Sequence, residues 1–271
     1  MIVDAHAHIF PEHVADRAME ALSAQAGVRP VARPTVEGLL RHMDECGVDR
    51  AVVLAIATRP DQVRSITKWF ASLRTEERFI PFAALHPHSD DLPGDIERVV
   101  DAGLRGVKLQ PNFQGFELDD PGVLRMLELI DDRLVVLMHG GQDIAPVEQV
   151  RATPTGLRAL HRRFPQVRFV FAHLGAYRQW DEVEESLVGE EVHFDASYVF
   201  DLCSDEQISR IVRNHGPERI LWGSDFPWQT QREGLEGVAR LGLSEEERAA
   251  MLGGNLMRLL KSPTAPPPTP R

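Results

Sequence analysis

The 271-residue chain is 43% hydrophobic and 26% charged, which fits a globular protein and excludes a disordered or membrane-spanning one. Thirty Lys and Arg against 41 Asp and Glu leave a net charge of −11 with no basic run, so the cationic footprint that nucleic-acid binding needs is missing. The length fits one α/β barrel of about 250 residues, whose core needs no disulfides, and Cys46 and Cys203 read as two reduced thiols.

The N-terminus, Met1 to His6, has neither a positive n-region nor an apolar h-region, and no apolar stretch of about 18 residues follows. A cytoplasmic location without a membrane span is expected. Apolar runs rich in Val, Ile, Leu and Phe occupy residues 2–9, 51–56, 79–85, 104–109, 134–139, 168–173, 192–197 and 219–223. They recur about every 31 residues, the length of a βα unit, and several are continuous, as parallel strands buried on both faces should be. The intervening segments carry helical signals. Residues 12–25 can form an extra helix in the long first loop. Thr35 can cap Val36–Cys46, with Gly47 ending it, and residues 61–74 set Val63, Ile66, Phe70 and Leu73 on one stripe. Ile96, Val99 and Val100 repeat that stripe. Ser204 to Gln207 and Ser244 to Glu247 read as capping boxes. The predicted fold is a (β/α)₈ TIM barrel, a single domain over residues 1–262, with a proline-rich disordered tail at 263–271.

Metal-binding residue types stand at the ends of four predicted strands. His6 and His8 lie two apart on the first, so both face one side. His139 ends the fifth before Gly140-Gly141, His173 ends the sixth before Leu174-Gly175, and Asp225 follows the eighth in Trp222-Gly-Ser-Asp-Phe-Pro-Trp228. In a barrel the C-terminal strand ends converge on one mouth; an open sheet would spread these groups along an edge. Alone, each is weak evidence: a strand-end histidine is more often a hydrogen-bonded core residue, and Ser-Asp-Phe-Pro is more often a turn. Their conjunction points to one divalent cation. Imidazoles with a carboxylate suit Zn²⁺ first, with Mn²⁺ or Fe²⁺ as alternatives.

Lys108, late in the fourth strand between Val107 and Leu109, should face the barrel interior. It can be a carboxylated metal bridge, a cation for a substrate, or half of a structural ion pair. Asp195 can pair with a lysine, accept from a histidine, or cap a loop. Neither residue type nor spacing decides among these.

The pattern Asp4-Ala-His6-Ala-His8, Gly106-Val-Lys108-Leu, His139-Gly-Gly, His173-Leu-Gly, Asp195-Ala-Ser, Gly223-Ser-Asp225-Phe-Pro-Trp228 and Gly253-Gly-Asn255 resembles the amidohydrolase superfamily from about residue 2 to 260. It is most similar to the branch containing aminocarboxymuconate-semialdehyde decarboxylase and many metal-dependent hydrolases. The resemblance implies a mononuclear centre with His6, His8, His139 and Asp225 as ligands and His173 as general base or electrophile. It further implies that Asp225 accepts a proton, that Gly140 and Gly141 keep the mouth open, and that Arg59, Lys108, Tyr177, Arg178, Trp180 and Trp228 contact a small-molecule substrate, including an anionic one. A homodimer fits the resemblance, although no interface is legible.

Three functions are weighed. The first is hydrolysis of a small ester, lactone or amide, with Asp225 taking the proton of the attacking water. The second is non-oxidative decarboxylation of an unsaturated or aromatic acid, with Arg59, Lys108 or Arg178 binding the anion. The chain lacks the long loop insertions of the branch's larger decarboxylases, so hydrolysis is the leading expectation. The third is a barrel that only binds a ligand or partner, against which the full ligand set speaks.

Overall fold

The computed structural model describes residues 1–261; the stretch expected to be a disordered tail lies outside the described residues. From the N-terminus, β1 (Val3–His8), α1 (Glu12–Ala26) and α2 (Val36–Cys46) lead to β2 (Arg50–Leu54) and α3 (Val63–Ser72). There follow β3 (Phe79–Pro81), β4 (Ala83–Ala84), α4 (Leu92–Asp101), β5 (Gly106–Leu109), α5 (Pro111–Gln114), α6 (Pro121–Ile130), β6 (Val135–Met138) and α7 (Pro154–Arg163). The last third is β7 (Arg168–Phe171), α8 (Trp180–Ser186), β8 (His193–Asp195), α9 (Asp205–His215), β9 (Ile220–Leu221), α10 (Gln231–Arg240), α11 (Glu245–Ala249) and α12 (Asn255–Lys261).

Every strand pairing is parallel, in the orders β1-β2-β3 and β4 to β9. β3 and β4 are halves of one barrel strand on either side of Phe82, whose amide donates to the Val53 carbonyl at 3.0 Å. The ring closes between the two ends of the chain: the Ala5 amide donates to Trp222 O at 2.9 Å, Asp225 N to His6 O at 2.8 Å, and His8 N to Phe226 O at 2.7 Å. Closure of eight strands makes the predicted (β/α)₈ barrel, and it joins residue 6 to residue 225.

Local signals account for the helix limits. Thr35 accepts from Gly38 N at the start of α2, and Gly47, at φ 69°, ends it. Ser244 and Glu247 form a full capping box. Ser204 caps α9, but the Gln207 amide turns instead to Asp181 and Glu184, so that box is only half made. Thr230 and Glu233 form a further box at α10.

Val3, Ala5, Val52, Leu54, Ile80, Phe82, Val135, Leu137, Val170, Ala172 and Leu221 fill the barrel, and Leu256 and Leu259 of α12 pack with them. Ala7 and Ile9 belong instead to the outer core, against the helices. The inward face of β1 therefore changes phase, and the cause is a register shift between Asp4 and Ala7 against β2. One extra residue there turns His6 and His8, rather than Ala7, toward the barrel axis. Among the described residues no helix is long and apolar enough to cross a membrane.

Candidate metal centre

His6 is buried, and its two ring nitrogens have different partners. Nδ1 donates to Asp195 Oδ2 at 3.0 Å, which leaves the Nε2 lone pair facing the barrel mouth. There Nε2 lies 3.2 Å from His8 Nε2 and 3.4 Å from Asp225 Oδ1, and His8 Nε2 lies 3.3 Å from the same oxygen. Tetrahedral ligands at ~2.0–2.1 Å from one ion stand ~3.3–3.4 Å apart. Octahedral neighbours at ~2.2 Å stand ~3.1 Å apart. The trio thus has the spacing of atoms that share one divalent cation, and its ligand atoms fall within 4.8 Å of one another.

The backbone holds the trio in place. Asp4, just before the bulge, accepts from His6 N and Ser224 N through Oδ1 and from Ser224 Oγ and Gln231 Nε2 through Oδ2. Burial pushes its carboxyl up to about 6, against those bonds from Gln231 and Ser224. It ties β1 to the segment that carries Asp225. Gly223 is needed for the same approach, since a Cβ there would stand 2.9 Å from that of His6. Asp225 has φ 60°, a left-handed conformation that Asp tolerates better than most residues.

Charge reinforces this arrangement. Burial, then the Lys108 charge, pushes His6 down to about 3, although Asp195 and Asp225 pull the other way. Burial alone would raise Asp225, but the surrounding His6, His8 and His173 hold it well below the usual carboxylate range. Asp195 behaves alike: the pull of burial is more than offset by His6, His173 and Ser197. Its Oδ1 accepts from His173 N, Ser197 N and the Ser197 hydroxyl, so it acts as the acceptor that orients histidines rather than as a lysine partner.

His139 and His173 form a second pair of nitrogens. His139 Nε2 donates to Gln142 O at 2.6 Å and His173 Nδ1 to Ser197 O at 2.9 Å. Carbonyls only accept, so in the neutral rings His139 Nδ1 and His173 Nε2 are bare and face each other, 3.0 Å apart. Two lone pairs at that distance repel unless a cation sits beside them. The donor chemistry of all five groups therefore fits a bound metal, with His6, His8 and Asp225 as its tightest cluster and His139 one ring further along.

A cavity of about 500 Å³ opens above these groups. Lys108, Tyr177 and Trp228, three of the residues expected to contact substrate, line it. Lys108 Nζ lies 3.2 Å from His6 Nε2 and, among the described residues, has no carboxylate within ion-pair distance, which argues against a purely structural ion pair. Its ammonium is pushed down to about 8 by burial, with Asp195, Asp225 and Asp143 opposing. The other three expected contacts lie outside the cavity wall. Arg59 is exposed and pairs with Asp61; Arg178 sits over the Tyr177 ring; and the Trp180 indole donates to His173 O at 3.0 Å, behind the site. Gly140 and Gly141 act through the backbone rather than by leaving space: Tyr177 N donates to Gly140 O, and a Cβ on Gly141, at φ 81°, would stand 2.4 Å from Tyr177 O. Sequence reasoning passed over Asp143, which lines the cavity and accepts from Gln110 and Asn112. Its place four residues after His139 was the available signal. Gln110 also lines the cavity, and its Oε1 has no hydrogen-bond partner among the described residues.

The chain has relatives of known structure. No curated protein shows a significant match. Among solved structures it is similar to 5-carboxyvanillate decarboxylase from Sphingomonas paucimobilis, at 18% identity and a TM-score of 0.73, covering 96% of this chain and 98% of that one. An uncharacterised TIM-barrel protein from Bordetella bronchiseptica matches at 16% identity and TM-score 0.74, with 96% and 98% covered. A dihydroxybenzoic acid decarboxylase from Polaromonas, solved with bound manganese and 2-nitroresorcinol, matches at 15% identity and TM-score 0.69, with 96% of each covered. These likenesses show the fold. The model of the Amidohydrolase family matches residues 3–261, which takes in every strand and every ligand candidate, and the chain belongs to that family.

Proposed function

We propose that this enzyme removes CO₂ from a small aromatic or unsaturated carboxylic acid without oxidation, which puts the second of the expected activities ahead of hydrolysis. The observation that carries this reading is the wall of the cavity: Phe10, Phe113, Tyr177, Tyr198 and Trp228 surround a chamber in which Lys108 is the one Lys or Arg side chain among the lining residues. A flat, largely apolar monoacid fits such a wall. The solved relatives named as decarboxylases of carboxyvanillate and dihydroxybenzoate support the same choice.

A divalent cation, Mn²⁺ or Zn²⁺, held by His6, His8 and Asp225 with His139 as the expected fourth ligand, would supply positive charge to the substrate's carboxylate and a neighbouring oxygen. Lys108 binds the anionic end from the barrel floor. Aromatic faces on the loops hold the ring and exclude water. Asp225 is ionised, so it must take a proton before it can give one. Its oxygen away from His6 and His8 takes the proton of a hydroxyl next to the carboxylate and returns it to the ring carbon that bears the carboxylate. The carbon–carbon bond then breaks, its electron pair restores the ring, and CO₂ leaves with no net uptake of water. His173, fixed by Ser197, Asp195 and the Trp180 indole, braces His139.

The test is direct. Protein stripped with chelator and reloaded with Mn²⁺ or Zn²⁺ is offered 2-hydroxybenzoates and, separately, aryl esters and lactones. CO₂ release that depends on metal is the expected result. Ester or lactone cleavage without CO₂ from any acid would return hydrolysis to first place, with the ionised Asp225 as base toward water.

A further inference from the structure

We infer that the natural substrate carries an apolar extension, a chain of several methylenes or a second ring, which occupies a chamber roofed by α1. This inference rests on the reading that an acidic head group sits at the His6–His8–Asp225 cluster. A cavity of about 150 Å³ is enough to hold one benzene ring. The cavity here is about 500 Å³, so a simple hydroxybenzoate would leave most of it empty.

The chamber has two unlike ends. The histidine, lysine and acidic lining residues belong to the metal site at the floor: the four site histidines, Lys108, Asp143 and Asp225. The far side is walled by Met19 and Leu22 of α1, Phe113 of α5, and Ile144 and Ala145 of the loop after β6, none of them charged. Gln25, Thr58 and Gln62 also line the cavity but are neutral, so a second anionic group on the substrate would meet no cation away from the floor and would lose its water. Carbon placed there leaves water at a gain of about fourfold in affinity per fully buried methylene. α1 is well placed to set this selectivity, because the first βα connection carries it across the mouth and nothing in barrel closure requires it. Its register is held by Val31 N donating to Pro227 O at 2.8 Å and by Arg33 pairing with Glu12 and Asp16.

The experiment is a chain-length series on the manganese-loaded full chain: 2-hydroxybenzoates bearing n-alkyl groups from hydrogen to octyl at the 4- or 5-position, read by calorimetry, with the matching alkylphenols as a series lacking the carboxylate. Affinity should rise at least tenfold from methyl to hexyl in one acid series. Met19→Trp or Leu22→Trp, which fill the chamber from α1, should move the optimum to a shorter chain. Affinity that is flat or falling with length in both the acids and the phenols overturns the inference. CO₂ is scored on the same samples. Rising affinity without CO₂ would keep the chamber and discard the decarboxylase reading; CO₂ from the unsubstituted acid with flat affinity would do the reverse.

Discussion

Asp195 Oδ2 stands 3.0 Å from His6 Nδ1, and that contact decides which nitrogen of His6 is free to bind a cation. An ionised carboxylate can only accept, so the proton stays on Nδ1 and Nε2 keeps its lone pair. In Asp195→Asn an amide NH₂ can take the same place and drive the proton to Nε2. Metal affinity should fall by about 10–100-fold. Competition against a chromophoric chelator measures it, and an unchanged affinity would mean that His6 is oriented by something else.

Lys108 is buried next to His6 Nε2, with no carboxylate within ion-pair distance among the described residues. Burial disfavours its charge, and Asp195, Asp225 and Asp143 offset that only in part. Lys108→Met should therefore leave the melting temperature equal or higher, while KM for the acid rises about 10–100-fold, the equivalent of one charge-assisted hydrogen bond of about 1.5–3 kcal/mol. A variant with normal KM and a lower melting temperature would make Lys108 a structural residue.

How much of this was legible beforehand depends on whether the signal was local. All eight strand runs were readable, because a parallel strand buried on both faces is a continuous apolar word. Helix α2 was readable to its ends from Thr35 and Gly47. The convergence of His6, His8 and Asp225 followed once closure was assumed. The bulge between Asp4 and Ala7 was not readable: plain alternation from Val3 and Ala5, which point inward, would have turned His6 outward. The resemblance implies substrate contacts for Arg59, Arg178 and Trp180, but side-chain direction within a loop is set by packing that residue type does not show, and here the three turn to Asp61, the Tyr177 ring and the His173 carbonyl. The reach of α1 over the cavity is likewise a tertiary fact, since its own buried positions are few.

Acid should weaken the fold through two histidines remote from the metal. His215 donates from Nε2 to Val192 O at 2.9 Å and stacks on Phe194 with ring centres 3.9 Å apart. Burial pushes it down to about 4, and burial followed by Arg219 and Arg258 does the same for His193. A folded pKa below the unfolded 6.5 means that the unfolded chain gains protons first as pH drops. The stability these rings carry is thus intact above pH 6.5 and is lost between 6.5 and 4. At pH 5 the loss is about 2 kcal/mol for each ring. Asp4, raised to about 6, has the opposite sign and returns about 1 kcal/mol over the same range. The melting temperature should fall by several degrees from pH 7 to pH 5, and a flat profile would mean that these rings are not held neutral.

Asp225→Asn separates the fold from the chemistry because of where Asp225 sits on the backbone. Its φ of 60° is strained for most side chains, but Asn enters the left-handed region as readily as Asp does. The Asp225 amide also keeps its 2.8 Å bond to His6 O, so the closure of β9 on β1 survives. What changes is the charge. The amide cannot carry a proton between substrate oxygen and ring carbon, and it is a poorer partner for a cation beside His6 and His8. Circular dichroism should be unchanged, stability should shift by less than about 1 kcal/mol, and turnover should fall by about a thousandfold or more, since both proton transfer and charge stabilisation are lost. Asp225→Ala should fare worse in stability by about 1 kcal/mol, because alanine in the same conformation meets the steric cost that Asn avoids. If Asp225→Asn turned over at the wild-type rate with metal bound, the proton would have to travel by another residue, and Asp143, the other carboxylate on the cavity wall, would be next to substitute.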